Sequence, residues 1–316
     1  MKIKHLILLI SISISLIPLQ PCKAQNTKNQ TNIKNYIDSI QTSQQIEELI
    51  TKLDNRYKKF KVNNELKFHD ERCQNYADSL QIKPWSIADF DNNGLNDLLV
   101  IGTYSNHFIA CILDKGNGKY EIKRITTSSF QECSFPIVNS SNNSNTISYY
   151  YPINMSALDW HKPQILEQKV LIYKFGDFIE ENKNPISKKI KTIEFSTSGC
   201  YGFCPIFKLI IQEDKSAYWH AEQHNIINEN EFKGNYRSTI DEVHHNQIVE
   251  LLNYLDFDKL KSNYTVDWTD DQTSRLKITY NNGETKSIND YGLKGTYGLE
   301  KLYQLLFEIR INQKWE

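Results

Sequence analysis

Residues 199–205 read Gly-Cys-Tyr-Gly-Phe-Cys-Pro, and within them Cys200 and Cys204 are the pair whose spacing most directly allows chemistry. Two thiols this close can close a small ring in an oxidising compartment, exchange disulfides, or hold a soft cation such as Cu(I) with help from a nearby histidine. Gly202 supplies the tight bend that a ring needs. As a structural bridge the ring would contribute about 2 kcal/mol at most through loop-closure entropy. The bridge is the expectation. Pro205 is followed by Ile206, Phe207, Leu209 and Ile211, a strand pattern, whereas reactive pairs open a helix whose N-terminus depresses the thiol pKa. Redox or copper work by Cys200 and Cys204 is the alternative, and two buried or free thiols are the third reading.

A second stretch, Asp89-Phe90-Asp91-Asn92-Asn93-Gly94-Leu95-Asn96-Asp97, places oxygen-bearing side chains at alternating positions. Asp89, Asp91, Asn93 and Asp97 fall at positions 1, 3, 5 and 9 of a hard-cation loop, Gly94 at the turning position 6, and the Leu95 carbonyl at position 7. The bidentate glutamate of an EF-hand is missing, since Val100 stands at position 12. The chain then runs Leu98-Leu99-Val100-Ile101, a strand rather than a helix. This combination resembles the aspartate loops of FG-GAP and VCBS-type repeats, which implies a structural calcium ion held between strands. A plain Asp/Asn turn is the competing reading. Only one such loop occurs, so residues 84–183 are expected to form a small antiparallel β domain and not a propeller of several blades.

Other candidates are weaker. His220 and His224 would meet at one metal on a helix, but Ala217–Ala221 reads as strand, where residues four apart share a face yet lie about 13 Å apart. His244 and His245 are adjacent at a helix start and face different ways. Asp267, Asp270 and Asp271 beside Trp268 suggest a glycosidase-type acid pair, but acidic loop residues are usually solvated. Tyr149, Tyr150, Tyr151 and Trp160 could mark a binding surface, although aromatics in strands more often pack in the sheet. No nucleophile elbow, phosphate loop or dinucleotide fingerprint is present. No catalytic residue is assigned, and a non-enzymatic protein is expected.

The elements that carry these residues follow a targeting segment. Lys2 and Lys4 precede an apolar run, Leu6 to Leu19, of signal-peptide length and too short to span a bilayer. Cleavage after Ala24 makes residues 1–24 a signal peptide. Leu19-Gln20-Pro21-Cys22 alternatively resembles a lipoprotein box, which would anchor the chain through Cys22. Removing residues 1–24 takes away Lys2, Lys4 and Lys23 and no acids, leaving 34 basic and 38 acidic residues. That balance gives no basis for a nucleic-acid or anionic-membrane surface. Export permits disulfides, and five cysteines remain beyond Cys22, so at least one is free or pairs outside the chain.

Residues 25–83 are expected to be mainly helical. Ile33 to Phe60 reads as helix, with Thr42 and Gln45 as a capping box and Ile46, Leu49, Ile50, Leu53 and Tyr57 as a core-facing stripe. Strands are predicted near Asp97–Tyr104, His107–Leu113, Tyr120–Thr127, Thr146–Tyr151 and Lys169–Phe175, with a turn at Asp114–Gly118. Glu180 to Lys189 reads as a linker. Residues 190–316 read as strands, a helix capped by Asp241, a hairpin across Asn281-Asn282-Gly283, and a closing helix over Leu299–Ile309. The fold class is therefore α+β: an N-terminal helix with a small antiparallel β domain, then a second α+β domain.

Over about Ile190 to Ile309, Cys200, Gly202, Cys204 and Pro205, followed by Asp290-Tyr291-Gly292, resemble the signature of a domain-of-unknown-function family of exported bacterial proteins. The resemblance implies a fold unit and export, and no activity. The expected protein is an exported binding or envelope-associated module for a protein or glycan ligand. It is placed in the periplasm or outside the cell, with calcium at Asp89–Asp97 and a disulfide at Cys200–Cys204.

Overall fold

The computed structural model describes residues 36–68, 70–126, 133–141, 144–153 and 165–316; the targeting segment with Cys22, and Trp160, lie outside them. All the described residues belong to one unit, residues 34–316. The first helix, α1 (Ser43–Leu53), opens on the expected capping box. The Thr42 hydroxyl accepts from the Gln45 N–H, and the Gln45 side chain accepts from the Thr42 N–H. Ile46, Leu49 and Ile50 are its buried stripe. The helix is shorter than the 33–60 read from periodicity. Asp54 adopts an extended conformation and accepts from the Arg56 N–H, which ends α1 and starts a separate 3-10 turn.

β1 (Lys61–Val62) and a second helix, α2 (Glu71–Ser79), follow. The first sheet adds β2 (Trp85–Ala88), β3 (Asp97–Tyr104), β4 (Asn106–Asp114) and β5 (Tyr120–Arg124). β4 pairs with one edge of β3, while β1 and β2 share the other. Both faces of this sheet are covered. Leu98, Val100 and Ile112 pack with α1, whereas Leu99, Ile101 and Cys111 pack with the second sheet. That is why these strands are continuously apolar and not alternating. The second sheet is a meander of β6 (Phe135–Ser140), β7 (Asn145–Ile153), β8 (Ile165–Lys174) and β9 (Asp177–Glu180). A disulfide between Cys73 of α2 and Cys133, just before β6, closes this core. Among the described residues Cys111 is the free thiol, and burial pushes its pKa well up.

The third sheet contains β10 (Ile190–Thr197), β11 (Ile206–Gln212), β12 (Ser216–Ile227), β13 (Asn230–Thr239), β14 (Asn263–Thr265), β15 (Thr273–Tyr280) and β16 (Glu284–Tyr291). The spatial order is β13-β12-β11-β10-β15-β16-β14, antiparallel except for β14 beside β16. α3 (Glu242–Tyr254), capped by Asp241 as expected, and α4 (Tyr297–Asn312) cover one face. Phe195, Trp219 and Leu276 meet Leu251, Leu302 and Leu306 there. Gly298 lets the helices approach, since a Cβ there would lie 2.1 Å from Leu255 Cδ2. The segment read as a linker begins with a working residue. The Glu180 carboxylate accepts from Tyr297 N–H (3.1 Å) and Gly298 N–H (3.0 Å) at the N-terminus of α4, and Tyr297 OH donates to the Ile125 carbonyl (2.7 Å).

One partly buried group sets an acid limit on this fold. His107 Nε2 lies 3.0 Å from the Ser134 carbonyl, with the ring edge-on to Phe68. Burial pushes its pKa down to about 4. In an unfolded chain histidine titrates near ~6.5, so on acidification the unfolded state takes up the proton first. The His107 contribution is complete above about pH 6.5 and is lost as pH falls towards 4, by up to about 3 kcal/mol. Urea unfolding is expected to show this loss in the wild type and a smaller one in His107→Gln.

Candidate functional site

The cysteine stretch stands at one end of the third sheet, in the connection from β10 to β11. Cys200 and Cys204 are bonded, with Cα atoms 5.7 Å apart. The base of the loop is fixed by buried polar groups. Thr197 Oγ1 donates to the Pro205 carbonyl (2.7 Å), and Gln272 Nε2 donates to the Ser198 (2.8 Å) and Pro205 (2.9 Å) carbonyls. Tyr201 N–H donates to the Asp270 carbonyl (3.0 Å) and Gly202 N–H to the Cys200 carbonyl (2.9 Å), with Gly202 at φ 151°. At the tip Tyr201 is 90% and Phe203 83% exposed. Phe203 meets His224 edge-on at 5.4 Å between ring centroids, and His224 lies in the irregular stretch of β12 with φ 56°. Strand β11 follows Pro205, so no helix N-terminus acts on the sulfurs. The arrangement does one thing directly: it presents two aromatic rings on a cross-linked loop.

The aspartate loop joins β2 to β3. One ligand atom each from Asp89, Asp91 and Asp97 lies within 4.8 Å of the others. Asp89 accepts from Asn93 N–H (3.1 Å) and Gly94 N–H (2.8 Å), which bends the chain at Gly94. Asp97 is fully buried and accepts from Phe90 N–H and Asp114 N–H, both at 2.8 Å. Burial pushes its pKa up to about 7 against these two bonds, and Asp91 and Asp89 push it further. Asn93 turns elsewhere: Oδ1 accepts from Leu95 N–H (2.8 Å) and Nδ2 donates to the Asp114 carbonyl (2.6 Å). Lys115 Nζ donates to Asp91 Oδ2 (2.7 Å) and to Tyr173 OH (3.2 Å). The donor set is all oxygen and suits a hard cation, with Lys115 as a resident competing charge.

The remaining candidates have local partners. His220 Nδ1 lies 2.6 Å from Asn235 Oδ1 on the neighbouring strand, and His244 pairs with its helix-capping Asp241. Trp268 Nε1 donates to Asp271 Oδ2 (2.9 Å). Tyr149 is buried and packs against Tyr151 and Tyr297. Sequence reading missed Thr197 and Gln272, which hold the cysteine loop. It also left Cys73 and Cys133 unpaired, because partners 60 residues apart carry no local signal.

The chain is thus a mostly β protein of the α+β class, whose third sheet and two helices carry the disulfide loop. Residues 191–310 match the family model described as Domain of unknown function (DUF6438), the span of the resemblance drawn from the cysteine and Asp-Tyr-Gly motifs. No curated protein and no solved structure matches the chain. No helix among the described residues is long and apolar enough to cross a membrane.

Proposed function

We propose that the protein is an exported, non-enzymatic binding or envelope-associated module, and that it contacts its ligand through the loop closed by Cys200 and Cys204. The observation that carries this reading is the exposure of Tyr201 and Phe203 on a segment held by a disulfide and by Gln272 and Thr197. Large aromatics left in water cost solvation free energy, and fixing them beforehand lowers the entropy lost on binding. Such rings are the side chains that most often anchor interfaces. Export is supported by the basic and apolar N-terminal run and by two disulfides. A calcium ion at Asp89, Asp91 and Asp97 would be structural, tying the β2–β3 loop to the start of β3; Asn93 and the Leu95 carbonyl complete the set read from the sequence.

The double variant Tyr201→Ala/Phe203→Ala tests the loop. Its unfolding free energy is expected to stay within about 0.5 kcal/mol of wild type, since both side chains are already solvated. Its affinity for envelope fractions of the source organism, measured by saturation binding, is expected to fall at least about tenfold. Unchanged affinity contradicts the reading.

A further inference from the structure

The seven-stranded sheet has one face beneath α3 and α4 and a second face that no element covers among the described residues. Strand alternation decides what that face carries. One row across neighbouring strands reads His220, Lys208, Ser196, Arg275 and Asn289. The next reads Tyr218, Ile210, Glu194, Lys277 and Ser287. A shallow groove of about 580 Å³ lies over the centre, lined by Glu194, Ser196, Lys208, Arg275, Lys277 and Asn289 among others. Lys277 and Lys208 both reach Glu194, at 3.0 and 3.3 Å. Their hydrogen bonds hold its carboxyl below the usual range. Arg275 is exposed, with no ion-pair or side-chain hydrogen-bond partner among the described residues. Four cations, Lys208, Arg275, Lys277 and Lys286, line the groove against the single carboxylate of Glu194, and Lys286 donates to the Leu260 carbonyl; the groove is therefore locally positive in a chain of net charge −1.

We propose that this open face binds an anionic polysaccharide, a glycan chain whose sugars carry carboxylates. The free Arg275 fork can take a carboxylate in two parallel hydrogen bonds. Lys208 and Arg275 lie two strands apart, about 10 Å by the strand spacing, so they match charges repeated along an extended chain. Between and beside them stand Ser196, Ser287 and Asn289, whose hydroxyls and amide suit sugar hydroxyls. An acidic peptide fits less well. Extended peptides use a sheet edge or pockets for alternate side chains, and this is the middle of a sheet. Single-stranded nucleic acid needs successive aromatic platforms, and these two rows offer only Tyr218 and His220. The proposal goes beyond the aromatic-loop reading and uses none of the residues of that loop.

The test is calorimetric titration of the full chain with a size-defined oligogalacturonate at low salt. Saturable binding is expected, weakened by added salt. Arg275→Gln is expected to weaken it at least about tenfold, the scale of one lost charge-assisted bond pair, with an unchanged unfolding midpoint. Lys277→Gln provides an independent variant with the same expectation. Tyr201→Ala/Phe203→Ala is expected to bind like wild type, and a neutral maltooligosaccharide is expected not to bind. Absence of saturable oligogalacturonate binding overturns the proposal, as does wild-type affinity in both groove variants. Equal or tighter binding of polyglutamate or single-stranded DNA overturns the polysaccharide assignment. Loss confined to the Tyr201/Phe203 variant moves the glycan contact to the loop and overturns the assignment to the sheet face.

Discussion

Millimolar calcium is expected to raise the unfolding temperature of chelator-stripped protein by roughly 5–10 °C. A ligand at a hundredfold excess over its Kd contributes about 2.7 kcal/mol to the folded state, and for a protein of this size each kcal/mol moves the midpoint by ~2–4 °C. Asp97→Ala is expected to abolish the response. It should also cost the calcium-free protein about 3 kcal/mol or more. Phe90 N–H and Asp114 N–H both donate to this fully buried carboxylate, and each unpaired buried donor costs ~1–3 kcal/mol. Lys115→Met separates the ion from the scaffold. Its ammonium sits 2.7 Å from Asp91 Oδ2, so removing it is expected to strengthen calcium binding. A midpoint indifferent to calcium and chelator in wild type and Lys115→Met alike contradicts the calcium assignment.

Removing the Cys73–Cys133 bridge is expected to cost about twice as much stability as removing Cys200–Cys204. Loop-closure entropy gives about 4 kcal/mol for a bridge spanning 60 residues and about 2 kcal/mol for the five-residue ring. Placement reinforces the difference. Cys73 and Cys133 are buried in the core between the first two sheets, while the Cys200–Cys204 ring stands outside the sheet that it decorates. Cys73→Ala/Cys133→Ala and Cys200→Ala/Cys204→Ala, compared by urea unfolding, provide the measurement. An equal or smaller loss for the first pair would contradict the ordering.

Where a residue acts through its neighbours in sequence, the structure could be read in advance. The Thr42–Gln45 capping box, the Asp241 cap, β3 over Asp97–Tyr104 and the turn at Asn281–Gly283 are local devices, and each falls where its pattern puts it. The alternating strands of the third sheet were legible because one face is open to water. α2 falls inside the 25–83 segment expected to be helical, but its bounds were not legible, because only Cys73 and Ala77 of its nine residues are buried and no apolar stripe results. β6 was hidden by Pro136, and β9 by its length of four residues. At the candidate site the ring was legible, since its cysteines are four apart. Gln272 and Thr197 were not, because their partners belong to a chain turn that only the fold brings near. The open basic face of the third sheet was equally out of reach, since its paired charges Glu194 and Lys277 lie 83 positions apart.

If Cys200–Cys204 serves to hold Tyr201 and Phe203 in place, it should stay oxidised under conditions that reduce working redox pairs. The direct measurement is the reduction potential of this pair, by thiol trapping and mass spectrometry of protein equilibrated across a dithiothreitol series. A value below about −300 mV, that of a structural bridge, is expected. A value near about −120 to −200 mV, or a pair isolated reduced and holding copper, would make the two cysteines the working groups and contradict the binding-loop account.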